Sequence, residues 1–232
     1  MRIRGAVGLA VLLLGGCAQV VKQPAPTGPV QPTPAAPAYE IVQGRSPGVV
    51  ARLRAAPPPV QPEVADGVTP DGDESVLRDE GLVKIGIGHY PSGDAEALRS
   101  AVAAQARKVG ADKALIYPPP TIGTPALALF FVRLHLPFGA NFRDLTDLER
   151  QTLGSTGVEI GEVVGGTPAS EANLREGDYV LKFNNAPVRD KAAFQSLLQG
   201  HMGRRIILTI RRNGVTTKRL VLLGTLPAQS AH

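Results

Sequence analysis

Hydrophobic positions recur along this chain with the two-residue period of strands and the three-to-four-residue period of helices. Their order divides the chain in two. Leu82-Val83-Lys84-Ile85-Gly86-Ile87-Gly88-His89-Tyr90 reads as a strand. Asp94 can cap a helix over 95–109, with Leu98, Val102 and Val109 along one side and Gly110 ending it. Residues 113–117 read as a second strand, stopped by Pro118-Pro119-Pro120, and the apolar run 127–136, with Phe130 and Phe131, as a third. The pattern predicts a small β-α-β-β module over 74–133, roughly 60 residues and small enough to need a neighbour for stability.

The second half is mainly β. Val158, Ile160 and Val163 are spaced as in a half-buried strand. Thr167-Pro168 reads as the start of a short helix that ends at Asn173, with threonine as the cap. Gly177-Asp178 makes a turn, and residues 179–183 alternate as another strand. Asp190 caps a helix from Lys191 to about residue 199, with Phe194, Leu197 and Leu198 on one face. Residues 206–210 and 217–223 pair as a hairpin across Asn213-Gly214, a strong two-residue turn signal.

The stretch 157–188 resembles a PDZ domain of the kind carried by bacterial high-temperature-requirement serine proteases. The matching residues are Gly157-Val158-Glu159-Ile160 with Val163, then Thr167-Pro168-Ala169, then Leu174-Arg175-Glu176-Gly177-Asp178 with Val180-Leu181 and Phe183-Asn184. Asn173 and Asn185 stand where that family usually has glycine, and both are expected at positive φ, which asparagine accepts. Upstream, Pro137-Phe138-Gly139-Ala140 matches the family's carboxylate-binding loop, and 145–154 resembles its short helical segment, so the domain is expected over 134–225 with 226–232 as a tail. The expected architecture is therefore α/β plus mainly β, the second part a partly open barrel or sandwich with two helices.

The resemblance implies capture of C-terminal or extended peptides by strand addition, with backbone amides holding the terminal carboxylate. The carboxylate-binding loop would be Phe138, Gly139 and Ala140, where glycine lets successive amides converge as an anion nest. Asn141, Phe142, Lys191, Phe194, Leu197 and Leu198 would line the groove. The bland alternative is that Phe138 and Phe194 are core residues and the groove is closed.

The front of the chain changes the setting. Arg2 and Arg4, the apolar run 6–14 and Leu14-Gly15-Gly16-Cys17 resemble a lipoprotein signal peptide over 1–16, with Cys17 as the acylated (palmitate-bearing) residue. Ala18 after the cysteine favours the outer membrane, facing the periplasm, by the same resemblance. Residues 17–73, rich in proline, are expected to form a mostly disordered tether. The formal charge of +5 falls to +3 without Arg2 and Arg4, too mild to imply nucleic acid. Arg204, Arg205, Arg211 and Arg212 with Lys218 and Arg219 make the last hairpin basic, a surface for anionic lipid or an acidic partner if it is not simply a solvated face.

Competing chemistries are weaker. No G-x-S-G-G sequence occurs, and the histidines are His89, His135, His201 and His232, so no enzymatic activity is expected. Gly86-x-Gly88 lacks the third glycine of a dinucleotide loop and reads as a tight turn. No metal and no cofactor are expected. The expectation is a non-catalytic bacterial cell-envelope lipoprotein acting as adaptor, scaffold or quality-control factor. A structural component of an envelope complex with an unused groove is the alternative, and a hydrolase a remote third.

Overall fold

The structure, a computed structural model, describes residues 37–226 except Ser92, Pro120 and Ile122. The expected leader, Cys17, the start of the tether and residues 227–232 lie outside the described residues. In the first half, β1 (Ala38–Ile41), β2 (Glu63–Asp66), β3 (Leu82–Tyr90), β4 (Lys113–Tyr117) and β5 (Ala126–Arg133) form one sheet in the order β1-β3-β5-β4-β2. Every pairing is antiparallel except that of β2 with β4.

Both faces of this sheet are buried. Ala128, Phe130 and Val132 of β5 join one core with residues of α1 (Pro47–Leu53) and α3 (Ala95–Val109). Leu129 and Phe131 join a second core with Leu77 of α2 (Pro70–Asp79). That is why β5 reads as a continuous apolar run rather than an alternating one. Helix α3 has the expected ends: the Asp94 carboxylate accepts from the Glu96 and Ala97 amides, and Gly110 closes the helix at φ +67°.

The expected tether over 17–73 is corrected from Ala38 onward. β1 pairs with β3, and the Tyr39 ring meets Phe130 edge-on at 5.4 Å. Gly86 is part of this fit: a Cβ there would lie 2.1 Å from the Tyr39 hydroxyl oxygen, so the glycine sits in mid-strand and not in a tight turn. After α1, Arg54 pairs with Asp112 and donates to the Gly110 carbonyl, which ties the proline-rich segment to the sheet. Short strands whose partners lie tens of residues away give little local signal, and the proline count hides them.

In the second half, β6 (Ala140–Asp144), β7 (Val158–Val163), β8 (Tyr179–Phe183), β10 (Arg205–Arg212) and β11 (Val215–Leu222) form an open antiparallel sheet ordered β11-β10-β8-β7-β6, and the short β9 (Ala186–Pro187) pairs with β8. Helices α4 (Asp147–Leu153), α5 (Pro168–Glu171) and α6 (Lys191–Gly200) accompany it, three rather than two. Ile160, Val180, Phe183, Phe194, Leu208 and Ile210 form its core. Asn173, Asn185 and Asn213 take the positive φ that their turns need. Thr167 stands at the start of α5, but its hydroxyl donates to the carbonyl of Val164 and does not cap the helix. Leu134 and Leu136 pack in the first module's core, so the second module begins at about Pro137.

The two modules meet backbone to backbone, through the end of α2 and the turn after β7. The Gly165 amide, in the turn after β7, donates to the Arg78 carbonyl at the end of α2 (2.8 Å), and Arg78 pairs with Glu162 (2.7 Å). A Cβ on Gly165 would lie 1.7 Å from the Asp79 carbonyl oxygen, so only glycine fits the seam. Gly165→Ala is expected to lower stability by about 1–3 kcal/mol in urea unfolding, as overpacking does. Gly200→Ala, whose Cβ meets nothing within 4 Å, should leave stability unchanged or slightly raise it.

Candidate functional site: an open strand edge beside helix α6

The loop entering β6 has its carbonyls committed. The Pro137 oxygen accepts from the Gly224 amide, that of Phe138 from Ala169, and that of Gly139 from Val164, each at 2.9 Å. Among the described residues no peptide bond is cis. Each N–H therefore points opposite to the carbonyl that precedes it. The amides of Phe138, Gly139 and Ala140 are thus turned away from the groups that hold the loop. Gly139 adopts φ +85°, and a Cβ there would meet the Thr167 side chain at 2.2 Å, so this position needs glycine for conformation and for space.

β6 is an edge strand: its ladder partner is β7, and its other side is unpaired among the described residues. The Val164-to-Gly139 bond makes Ala140 and Val163 a non-hydrogen-bonded pair, which leaves the Ala140 amide on the outer edge. Helix α6 faces this edge. Its first turn is fixed by Asp190, which accepts from the Ala193 amide (2.7 Å), and by Asp144 at the far end of β6, which accepts from Lys191 (2.5 Å).

A cavity of about 700 Å³ opens along this edge. The expected loop residues Phe138, Gly139 and Ala140 border it, as do Asn141, Phe142, Lys191 and Leu198. Phe194 does not. It is fully buried, with its ring 4.9 Å from Phe142, 5.8 Å from Phe138 and 6.3 Å from Phe183. It is the floor under the groove rather than its wall, and Leu197 packs half-buried against the same core. The helix presents Lys191, Gln195 and Leu198 to the cavity instead, at helical spacing, with Gln199 beside them and Met202 just past the helix end. Lys191 and Leu198 are among the residues expected there, whereas Gln195 and Met202 carry no hydrophobic signal that marks them.

The opposite wall comes from the first module, through Val42, Arg45, Arg52, Leu53, Glu74 and Lys84. Nothing local in the sequence announces this. Burial lowers the pKa of the Arg45 guanidinium. Elsewhere, Arg143 holds the Glu149 carboxyl below its usual range, chiefly by a side-chain hydrogen bond.

The basic hairpin is partly committed inside the fold. Arg212 makes a two-pronged bond to the fully buried Asp178 carboxylate (2.6 and 2.7 Å), which raises the Arg212 pKa. Arg211 reaches the Leu153 and Gly214 carbonyls, whereas Arg204 and Arg205 are exposed. Among the described residues no group of three or more potential metal ligands comes together.

Residues 159–212 match the family model of the PDZ domain, and the second module is a PDZ domain. The magnetosome formation protease MamE of Paramagnetospirillum magneticum is 35% identical over 63 residues, which cover 26% of this chain and 9% of that protein. The probable protease eep of Enterococcus faecalis is 34% identical over 56 residues, covering 24% of this chain and 13% of that protein. The chain thus matches only about a tenth of the length of these curated relatives. Among solved structures, the HtrA3 PDZ domain bound to a phage-derived ligand is 21% identical, covering 37% of this chain and 81% of that one at a TM-score of 0.33.

The placement of Phe194 separates core from groove. Phe194→Ala is expected to cost about 3–5 kcal/mol in denaturant unfolding, as truncation of a buried ring does. Gln195→Ala, one residue on and exposed at the cavity, should change stability by no more than about 0.5 kcal/mol.

Proposed function

We propose that this chain is a non-catalytic peptide-capturing lipoprotein of the bacterial cell envelope, acting as an adaptor, scaffold or quality-control factor. Its PDZ domain takes up exposed C-termini or extended segments of envelope proteins as an added strand on β6. The observation that carries this reading is the unpaired edge of β6, entered by three amides turned away from their own fold and faced by α6. A carboxylate placed at the amides of Phe138, Gly139 and Ala140 would accept hydrogen bonds that the loop's own carbonyls do not claim. The apolar side chain beside it would rest on Phe138, Phe142 and Leu198, where burial is worth about 1.5–3 kcal/mol.

Each backbone hydrogen bond of the added strand contributes about 1 kcal/mol net, and ordering of the peptide opposes these gains. Affinity in the micromolar range follows, which suits a protein that samples many chain ends. The acyl anchor on Cys17 would hold this activity at the membrane, with the segment before Ala38 as spacer.

Two experiments test the reading. Fluorescent decapeptides with a free, apolar C-terminal residue should bind the full chain in detergent, and amidated copies should bind at least tenfold more weakly. Equal binding of both forms, or none, would reduce the PDZ domain to a scaffold with an unused groove. Separately, Cys17→Ala should move the protein from the membrane fraction to the soluble one on cell fractionation, and a variant that stays membrane-bound refutes the anchor.

A further inference from the structure

The cavity beside β6 is a composite of both modules, and its charge is unbalanced. Arg45, Arg52, Arg78, Lys84 and Lys191 border it, against Glu74 and Glu162. Both carboxylates are already engaged, Glu74 with Lys84 and Glu162 with Arg78. Arg45, Arg52 and Lys191 remain, and none of them has a carboxylate within ion-pair distance among the described residues. Arg52 and Lys191 are exposed and screened by water, so each contributes little alone. Arg45 is half-buried, and burial there disfavours its charge. An anion in the cavity would compensate that charge.

The backbone places two of these groups along the groove, and Arg45 borders the same cavity. Leu53, next to Arg52, accepts from the His135 amide, two residues before Pro137. Arg52 therefore approaches the end of the groove where the amide loop begins. Lys191 stands at the other end, bonded through its amide to Asp144. A terminal carboxylate brings one negative charge to a site with three unmatched positive ones.

We propose that the groove selects extended C-terminal segments carrying at least one acidic side chain close to the terminal carboxylate, with Arg45 and Arg52 of the first module as the residues that recognise it. This rests on the peptide-capturing reading of β6. The first module is then part of the specificity apparatus, and the PDZ domain by itself would have a different preference.

The test uses the full chain in detergent and two pools of fluorescent decapeptides that share an apolar last residue. One pool draws its upstream positions from Asp, Glu, Ser and Ala, the other from Asn, Gln, Ser and Ala, and each is made with a free and an amidated C-terminus. The acidic pool should bind about tenfold more tightly than the neutral one, with a difference that shrinks as salt rises. Arg45→Gln combined with Arg52→Gln should shrink that difference to about twofold or less, the acidic pool losing more affinity than the neutral one. If the half-buried Arg45 variant unfolds, Arg52→Glu alone, at an exposed position, should still narrow the gap. Equal binding of the two free-carboxylate pools, or an equal fold-loss for both pools in the variants, overturns the acidic preference while leaving peptide capture standing. No dependence on the free carboxylate in either pool overturns capture itself, and the acidic preference with it.

Discussion

Three consecutive carbonyls, those of Pro137, Phe138 and Gly139, are held by amides from three distant parts of the chain: Gly224 after β11, Ala169 in α5 and Val164 after β7. Everything about the site depends on this lacing. It fixes the loop at the entrance of β6, it obliges the following amides to face outward, and it does so in the same segment that leaves the first module. Gly139 is the residue that makes it sterically feasible, because Thr167 occupies the space where any side chain would go. The groove is therefore a property of the junction between modules as much as of the PDZ domain.

Much of the second module was legible because its signals are local. Asn173, Asn185 and Asn213-Gly214 mark backbone turns with positive φ, and Asp190 marks the start of α6; each acts within a few residues of itself. The same holds for α3, bounded by Asp94 and Gly110. What was not legible is non-local. β1 and β2 are four residues each, and their partners β3 and β4 begin more than forty residues further on. The second wall of the cavity belongs to this group as well. Phe194 is a different case: its ring packs among Phe138, Phe142 and Phe183 and is core, while Lys191, Gln195 and Leu198 of the same helix meet the cavity.

Charge shows the same limit. The basic residues of the last hairpin look like a surface patch when counted, yet Arg212 is bound to a fully buried carboxylate and serves folding. A buried aspartate without a partner is costly, so the pair is strongly coupled: loss of either member strands the other. Unmatched charge also lies beside β6, contributed partly by residues whose stretch of sequence reads as tether. Counting charges along a sequence cannot separate those taken up inside the fold from those left for a ligand.

An unpaired strand edge is a hazard, because any other edge can add to it. β6 meets this with its own composition and with its surroundings. It is five residues long and carries Asn141, Arg143 and Asp144. The cavity at its outer side is bordered by the first module and by α6, which restricts the space to about 700 Å³. A strand that belongs to a folded sheet would bring its neighbours against those walls, whereas a single extended chain end would not. The geometry that would keep β6 from pairing with other folded sheets is thus the same geometry that would admit a free chain end.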